Sequence, residues 1–343
     1  MKMPSTAPIN APSAAPRDES LLLDRGALER RIESDPFDLP ALIGLSNHFR
    51  AQGDDQRALS LGPNILMGYF REEHGRTLDR RDPRTFTEKL YCRMLDCHES
   101  GCGVFTRLAD KLQVREHVAA TLGERYLNRL LWHGDDIATL PWDRMPSRAV
   151  LKCSEGSGKL TDLDANVDRS AVGRLARGWQ ASSYYWFRRE FHYWDMPRRL
   201  LVEEFIGDWH PDGPLDYVFF CFDGVPRLIQ IGSRSHTLHR FCTPEWSELR
   251  LAYRQRYEAP DIPRPARLDE MLEVAARLSS GFDFVRIDLY ETYAGVRFGE
   301  MTFTPRAGKL PFDPPEWDAR LGEWWHYVRP DRVRPASASN PRT

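Results

Sequence analysis

Asp288 and Glu300 are the first residues of this 343-residue chain whose types and setting suggest chemistry. They lie in FVRIDLYETYAGVRFGEMTFTPRAG, from Phe284 to Gly308. Val285, Ile287 and Leu289 alternate with Arg286, Asp288 and Tyr290, the period-two pattern of a strand that buries one face and presents the other. After a turn at Glu291 to Gly295, a second run predicts Phe298, Glu300, Thr302 and Thr304 on one side, with Met301 and Phe303 opposite. If the loop keeps even register, the two carboxylates are same-face neighbours with Cβ atoms roughly 5–8 Å apart. Hard oxygen donors so placed suit Mg²⁺, which takes one or two protein carboxylates and fills its octahedron with water and phosphate oxygens. The commoner reading of an Asp and a Glu on a strand is solvated surface charge. The metal reading therefore depends on what the rest of the chain brings near them.

Several stretches supply candidates. AVLKCSEGSGKL, Ala149 to Leu160, predicts a short apolar strand ending at Lys152 and running into a loop with Gly156, Ser157 and Gly158. Successive backbone amides in such a loop can cradle a phosphate, although neither a GxxxxGK[ST] loop nor a GxGxxG fingerprint is present. A helix predicted from Asp110, DKLQVREHVAATLG, puts Lys111 in its first turn, where a cation opposes the helix dipole unless an anion is to be bound. RLLVEEFIGDW predicts a buried strand ending in Glu203 and Glu204. The aromatic and basic run YYWFRREFHYWDMPRR, Tyr184 to Arg199, could stack bases, but the formal net charge of -2 argues against a dedicated nucleic-acid binder. Its simpler reading is a helix whose aromatics pack on a sheet, with Arg188, Arg189 and His192 lining a cleft. Cys92, Cys97, Cys102, Cys153, Cys221 and Cys242 show no CxxC or paired-His spacing and read as buried thiols.

The elements that must position these residues are legible in outline. With 41% hydrophobic and 29% charged residues the chain can bury a sizeable core. It shows neither a signal-peptide pattern nor an apolar run of membrane-spanning length, so a cytoplasmic protein is expected. Residues 1–20, rich in Pro, Ala and Ser, read as a disordered tail. Residues 21–80 read as a helical extension. Within it, Ala27 to Gly62 resembles one tetratricopeptide-like helix pair, with Leu42, Leu45 and Phe49 as its stripe and AQGDD as its turn. Such a pair either packs on the main domain or contacts a protein partner. A helix is predicted from Thr85, where Thr85 and Glu88 have capping-box spacing. Asp223-Gly224 between DYVFFCF and VPRLIQI predicts a hairpin. LDEMLEVAARLSSG predicts a helix with Leu268, Met271, Leu272, Ala275 and Leu278 on one face, closed by Gly281. A terminal helix is predicted from Trp317 to Val328, with residues 329–343 loose.

The order of Lys111, VLKCSEGSG, VEEFI, VRIDLY and GEMTFTP resembles the ATP-grasp superfamily. TFTEKL, ADKLQVREHV, VLKC with GSG, EEF, DY with FFCFDG, and FVRIDLY with GEMTFTP resemble its TupA-like branch, which is tied to bacterial cell-surface polymers. The resemblance implies an α+β fold of two subdomains gripping ATP over residues 82–328. It also implies ATP and Mg²⁺ as cofactors, with Lys111 and Lys152 on the nucleotide phosphates and Ser157 and Gly158 in the loop that closes over them. Glu203, Glu204, Phe205 and Ile206 match the adenine hinge, and Asp208 or His210 the ribose contact. Asp288 and Glu300, with Thr302 in place of the usual Asn, match the metal strands. Arg286 matches the residue that stabilises the transferring group, and Lys152 and Arg286 would be the catalytic pair. The implied reaction joins a carboxylate to an amine, from small-molecule, glycan or peptide substrates, through an acylphosphate. The chain departs from the branch at Val218, where a lysine is common, and at Ser154 and Glu155, which set a carboxylate beside the loop. Two alternatives follow: a catalytically weak nucleotide-binding module that recruits a partner through residues 27–62, or a phosphotransferase.

Overall fold

Residues 24–207, 215–233, 239–253, 262–309 and 311–335 are described by a computed structural model, and they divide between Asp79 and Arg80 into two units. The expected N-terminal tail, Asp208 and His210 lie outside the described residues. The first unit holds helices α1 (Arg25–Ser34), α2 (Leu39–Ala51), α3 (Asp55–Ser60) and α4 (Gly62–His74). Asp24, Asp38 and Asp54 cap the first three through side-chain bonds to orphan amides. Leu42, Leu45 and Phe49 are buried as one stripe of α2, and Gln52 to Asp54 form the link to α3. The expected helix pair is thus part of a four-helix unit, because α3 breaks at Leu61 and α4 continues past it.

The second unit begins with α5 (Phe86–Ser100), whose capping box between Thr85 and Glu88 forms as predicted. Helix α6 (Gly103–Ala109) and α7 (Val114–Leu122) follow. Strands β1 (Leu130–Gly134), β2 (Arg148–Cys153) and β3 (Leu160–Asp164), helices α8 (Arg169–Ala181) and α9 (Tyr185–Arg188), and β4 (Leu200–Glu204) come next. The chain then runs through β5 (Asp216–Phe222), β6 (Val225–Gly232), β7 (His239–Cys242), β8 (Ala252–Tyr253) and α10 (Leu268–Ser279). It ends with β9 (Phe284–Thr292), β10 (Gly295–Thr302), β11 (Phe312–Asp313) and α11 (Glu316–Trp324).

Two antiparallel sheets organise this unit, in the orders β1-β4-β2-β3 and β10-β9-β5-β6-β7, beside a small β11-β8 ribbon. The smaller sheet packs Ala149, Leu151, Leu200 and Val202 against Val172 and Ala176 of α8. The larger buries Phe219, Cys221, Ile229, Val285, Ile287 and Met301 against α10, whose Met271, Ala275 and Leu278 form the predicted face. Its hairpin turns on Asp223 and Gly224, with φ of 50° and 78°, the paired left-handed geometry a two-residue connection demands. All six cysteines are buried free thiols.

Three local expectations are corrected. Helix α7 begins at Val114 and not at Asp110, because the Asp110 side chain accepts from Leu112 N and Gln113 N and holds a turn there. Lys111 therefore sits in a capping turn and not in the helix. The aromatic run forms only the short α9 and a single turn at Phe191–Tyr193, and Arg189 and His192 are buried within it, so they do not line a cleft. The chain past Arg329 is packed as far as Val333, which joins the main core.

Candidate functional site

Register decides where the carboxylates point. Strand β10 pairs with β9 through a bulge, so that Phe298 faces Leu289 while Glu300 faces Asp288 and Thr302 faces Arg286. The extra residue is Gly299, where a Cβ would lie 2.9 Å from the Tyr290 ring and 3.0 Å from the Asp288 carbonyl. Phe298 is consequently on the core face with Met301 and Phe303, and not beside Glu300 as plain alternation predicts. Without the bulge the same turn would set Glu300 opposite Ile287 and into that core. A glycine within a strand pattern is the sequence signal for this feature.

The presented face reads as rows of directly paired residues running across four strands. One row is Gln230, Val218, Asp288 and Glu300. The next is Leu228, Phe220, Arg286 and Thr302. The Arg286 guanidinium takes both oxygens of Asp288 at 2.9 and 2.8 Å and reaches Glu300 at 2.7 Å, while the Thr302 hydroxyl donates to Glu300 at 3.0 Å. Burial pushes Asp288 up to about 8, with the Glu300 and Asp216 charges adding and Arg286 opposing. For Glu300 burial acts the same way, but Arg286, Lys111, the Thr302 hydroxyl and Lys152 outweigh it and hold the carboxyl below its usual range. Lys111 and Lys152 thus lie within electrostatic reach of Glu300, which joins the phosphate-type lysines to the carboxylate strands.

The smaller sheet aims Lys152. Lys152 of β2 pairs with Leu201 and lies diagonally from Glu203 on the same face, with its Nζ 2.7 Å from Glu203 Oε2. Arg115 of α7 holds the other Glu203 oxygen at 2.7 Å and Asn128 O at 2.7 Å. Sequence reasoning passed over Arg115 although it lies within ADKLQVREHV, since its partner Glu203 is 88 positions away along the chain. Glu204 lies on the opposite face, exposed, and its amide bonds Arg129 O at 3.0 Å. Of the hinge residues, Glu203 is therefore brought to Lys152 and the Glu204 side chain is not. Phe205 stacks under Arg148, 3.7 Å from guanidinium to ring centre, and Ile206 is half-buried after it.

Lys111 donates to Gly156 O, linking its capping turn to the loop in which Ser157 and Gly158 are exposed. Gly156, at φ 81°, packs on Tyr184 so closely that a Cβ would meet the ring at 2.9 Å. Glu155 does not face the loop. It is buried, paired with Lys159 and bonded by Ser183 Oγ and Tyr184 N, so its charge is spent inside the fold. A further carboxylate that sequence reasoning missed is Glu190, bonded by the Thr304 hydroxyl just past β10 and pushed up by burial to about 7.

Oxygen donors from two carboxylates and a hydroxyl fit a hard divalent cation, and two lysines beside a loop that exposes Ser157 and Gly158 fit a polyphosphate. Two antiparallel sheets carrying these groups define the class: the fold is the α+β ATP-grasp fold. More narrowly, the chain belongs to the TupA-like ATP-grasp family, which it matches over residues 88–326. No curated protein matches it in sequence. Among solved structures it is similar to D-alanine-D-alanine ligase from Helicobacter pylori, at 17% identity and TM-score 0.39, covering 63% of this chain and 61% of that one. A RimK domain ATP-grasp protein from Sphaerobacter thermophilus gives 14% and 0.39, covering 71% and 79%. The ATP-grasp ligase PsnB, complexed with minimal precursor, Mg and ADP, gives 12% and 0.34, covering 82% and 67%. Among the described residues no helix is long and apolar enough to cross a membrane.

Proposed function

We propose that this chain is an ATP- and Mg²⁺-dependent carboxylate–amine ligase. The observation that supports it best is the register-matched group of Arg286, Asp288, Glu300 and Thr302, with Lys111 and Lys152 in electrostatic reach of Glu300. Asp288, Glu300 and Thr302 would hold Mg²⁺, which when bound supplies charge neutralisation for the triphosphate. Lys111, Lys152 and the amides around Ser157 and Gly158 would bind the phosphates. Glu203 to Ile206 would border the base.

In this reading a carboxylate oxygen of the first substrate attacks the γ-phosphorus, the bond to the bridging oxygen breaks, and ADP leaves. The amine nitrogen then attacks the acyl carbon, phosphate departs with the former carboxylate oxygen, and the ammonium proton passes to solvent. Arg286 faces both carboxylates and would turn to the charge that develops on the transferring group. We take bacterial surface polysaccharide or peptide as the substrate class and the cytoplasm, where ATP is supplied, as the place. The buried pairing of Glu155 with Lys159 removes the negative charge that favoured a weakened nucleotide site.

The test is a thermal shift with ATP and Mg²⁺, run on the wild type and on Asp288→Ala/Glu300→Ala. Ligands that bind the folded state raise its melting temperature. A metal-dependent rise lost in the double variant is expected. A folded wild type that shows no rise would overturn the nucleotide reading, and ATP binding without ADP release over a panel of carboxylate and amine pairs would overturn the ligase.

A further inference from the structure

Immediately past the metal strand the chain makes a turn that its residue types do not favour. Arg306 and Ala307 adopt φ of 51° and 53°, and Gly308 continues at 76°. Two successive non-glycine residues in the left-handed region are unfavourable, and such geometry persists only where the surroundings enforce it. Here they do. Thr304 is tied to buried Glu190, Ala307 N bonds Thr304 O at 2.9 Å, and Gly308 is set so tightly on Tyr91 that a Cβ would lie 2.8 Å from the ring. Pro305, Ala307 and Gly308 are buried; Arg306 alone in the turn is exposed.

The turn then feeds β11, whose Phe312 pairs with Tyr253 of β8, and this ribbon fixes what lies under the arginine. The Arg306 guanidinium stands over the Tyr253 ring, 4.6 Å from its centre. Among the described residues no carboxylate pairs with it. The Tyr253 hydroxyl donates to Gln230 Oε1 at 2.6 Å, and Gln230 Nε2 lies 3.0 Å from His239 Nδ1. Gln230 belongs to the same cross-strand row as Asp288 and Glu300, two strands away from Asp288. At about 4.8 Å per strand, Gln230 is about 10 Å from Asp288 and about 14 Å from Glu300 along the row. A guanidinium held over a ring face is placed by the ring and keeps N–H groups available to take a planar or tetrahedral anion by two parallel bonds.

We propose that Arg306, stacked on Tyr253, is an anion subsite for a substrate of this enzyme. It would bind a carboxylate or phosphate group that the substrate carries away from its reacting atoms. A rigid turn, an unpaired cation and a polar link to the carboxylate row favour a built site over a solvated surface arginine. The assignment of that anion to a substrate rests on the ligase reading of Asp288 and Glu300.

The experiment titrates the full chain, without nucleotide, with succinate and with glycerol 3-phosphate, each beside its uncharged counterpart, succinamide or glycerol. It is repeated on Arg306→Asn, which tolerates the left-handed backbone, and on Arg306→Lys, which keeps the charge and loses the fork. Wild type should bind at least one probe and neither counterpart, with a loss of tenfold or more in Arg306→Asn and a smaller loss in Arg306→Lys. Binding of succinate alone identifies a carboxylate as the anion, and binding of glycerol 3-phosphate alone identifies a phosphate. A wild type that binds neither probe, or Arg306→Asn binding both as the wild type does, would overturn the subsite. Binding of ATP with Mg²⁺ is measured in parallel. Its failure in the wild type would overturn the ligase reading alone, because the probe titrations contain no nucleotide.

Discussion

Glu203 illustrates how much a single side chain's role depends on neighbours that its own motif does not name. As part of EEF it reads as a border of the base, yet its two oxygens are divided between Arg115 and Lys152. Arg115 therefore acts at one remove, by holding the carboxylate that aims the lysine. In Arg115→Met, Glu203 is released and Lys152 loses its orientation, so the KM for ATP should rise about tenfold while kcat changes less, with Arg115→Lys recovering part of the loss. Equal falls in kcat for both variants at unchanged KM would contradict this role. Direct removal of the lysine is more severe: Lys152→Ala should lower turnover by about 10²- to 10³-fold, as loss of one preorganised electrostatic group does. ADP release measured on both variants checks these together.

Among the elements, the β9-β10 hairpin depends on its bulge. Gly299 is close to Tyr290 and to the Asp288 carbonyl, so a side chain there must displace one of them or restore the plain register. Plain register would turn Glu300 inward against Ile287. Gly299→Val is expected to destabilise the protein by about 1–3 kcal/mol and to abolish the Mg²⁺-dependent part of the thermal shift. A variant that loses stability in urea and keeps the full metal-dependent shift would show that the bulge does not set the carboxylates. Helix α5 anchors the other end of the hairpin. Its Arg93 donates to Phe284 O at 2.9 Å and Phe303 O at 3.1 Å, the residues that bracket β9 and β10.

At the scale of the second unit, that same arginine belongs to a buried ion pair. Arg93 meets Asp283 at 2.6 Å with both side chains almost fully buried, and Asp283 also accepts from Trp325 Nε1 at 2.6 Å and Val328 N at 2.9 Å. The pair ties α5, the start of β9 and the segment after α11 together. Removing one partner strands a buried charge, so Asp283→Ala should cost about 3–5 kcal/mol in equilibrium unfolding. Acid stability has a separate source. Burial pushes His192 down to about 3, so the folded state refuses a proton that the unfolded chain accepts below about 6.5. This contribution is fully present above that value and is lost as pH falls below it. Glu190 and Asp288, both raised, run the opposite way, so the comparison with His192→Gln isolates it. Between pH 7 and pH 5.5 the wild type should lose about 1.2 kcal/mol more than the variant. Equal losses would place the histidine's proton elsewhere.

What the sequence by itself determined was local. Alternation marked β9, the Thr85 and Glu88 spacing marked the start of α5, Asp223-Gly224 marked a hairpin, and the ordered motifs marked the family, because each signal is carried by neighbours in the chain. Plain alternation failed at Phe298, where one inserted glycine shifts the register. The dipole argument for Lys111 failed because the Asp110 carboxylate captures the amides that would have opened the helix. The tertiary structure alone decided the rest. It turned Glu155 inward to Lys159, brought Arg115 to Glu203 and stacked Arg306 on Tyr253. The last two are pairings between residues tens of positions apart, the first a choice of side-chain direction, and no periodicity encodes them. They form only when distant segments have been packed together by the tertiary fold.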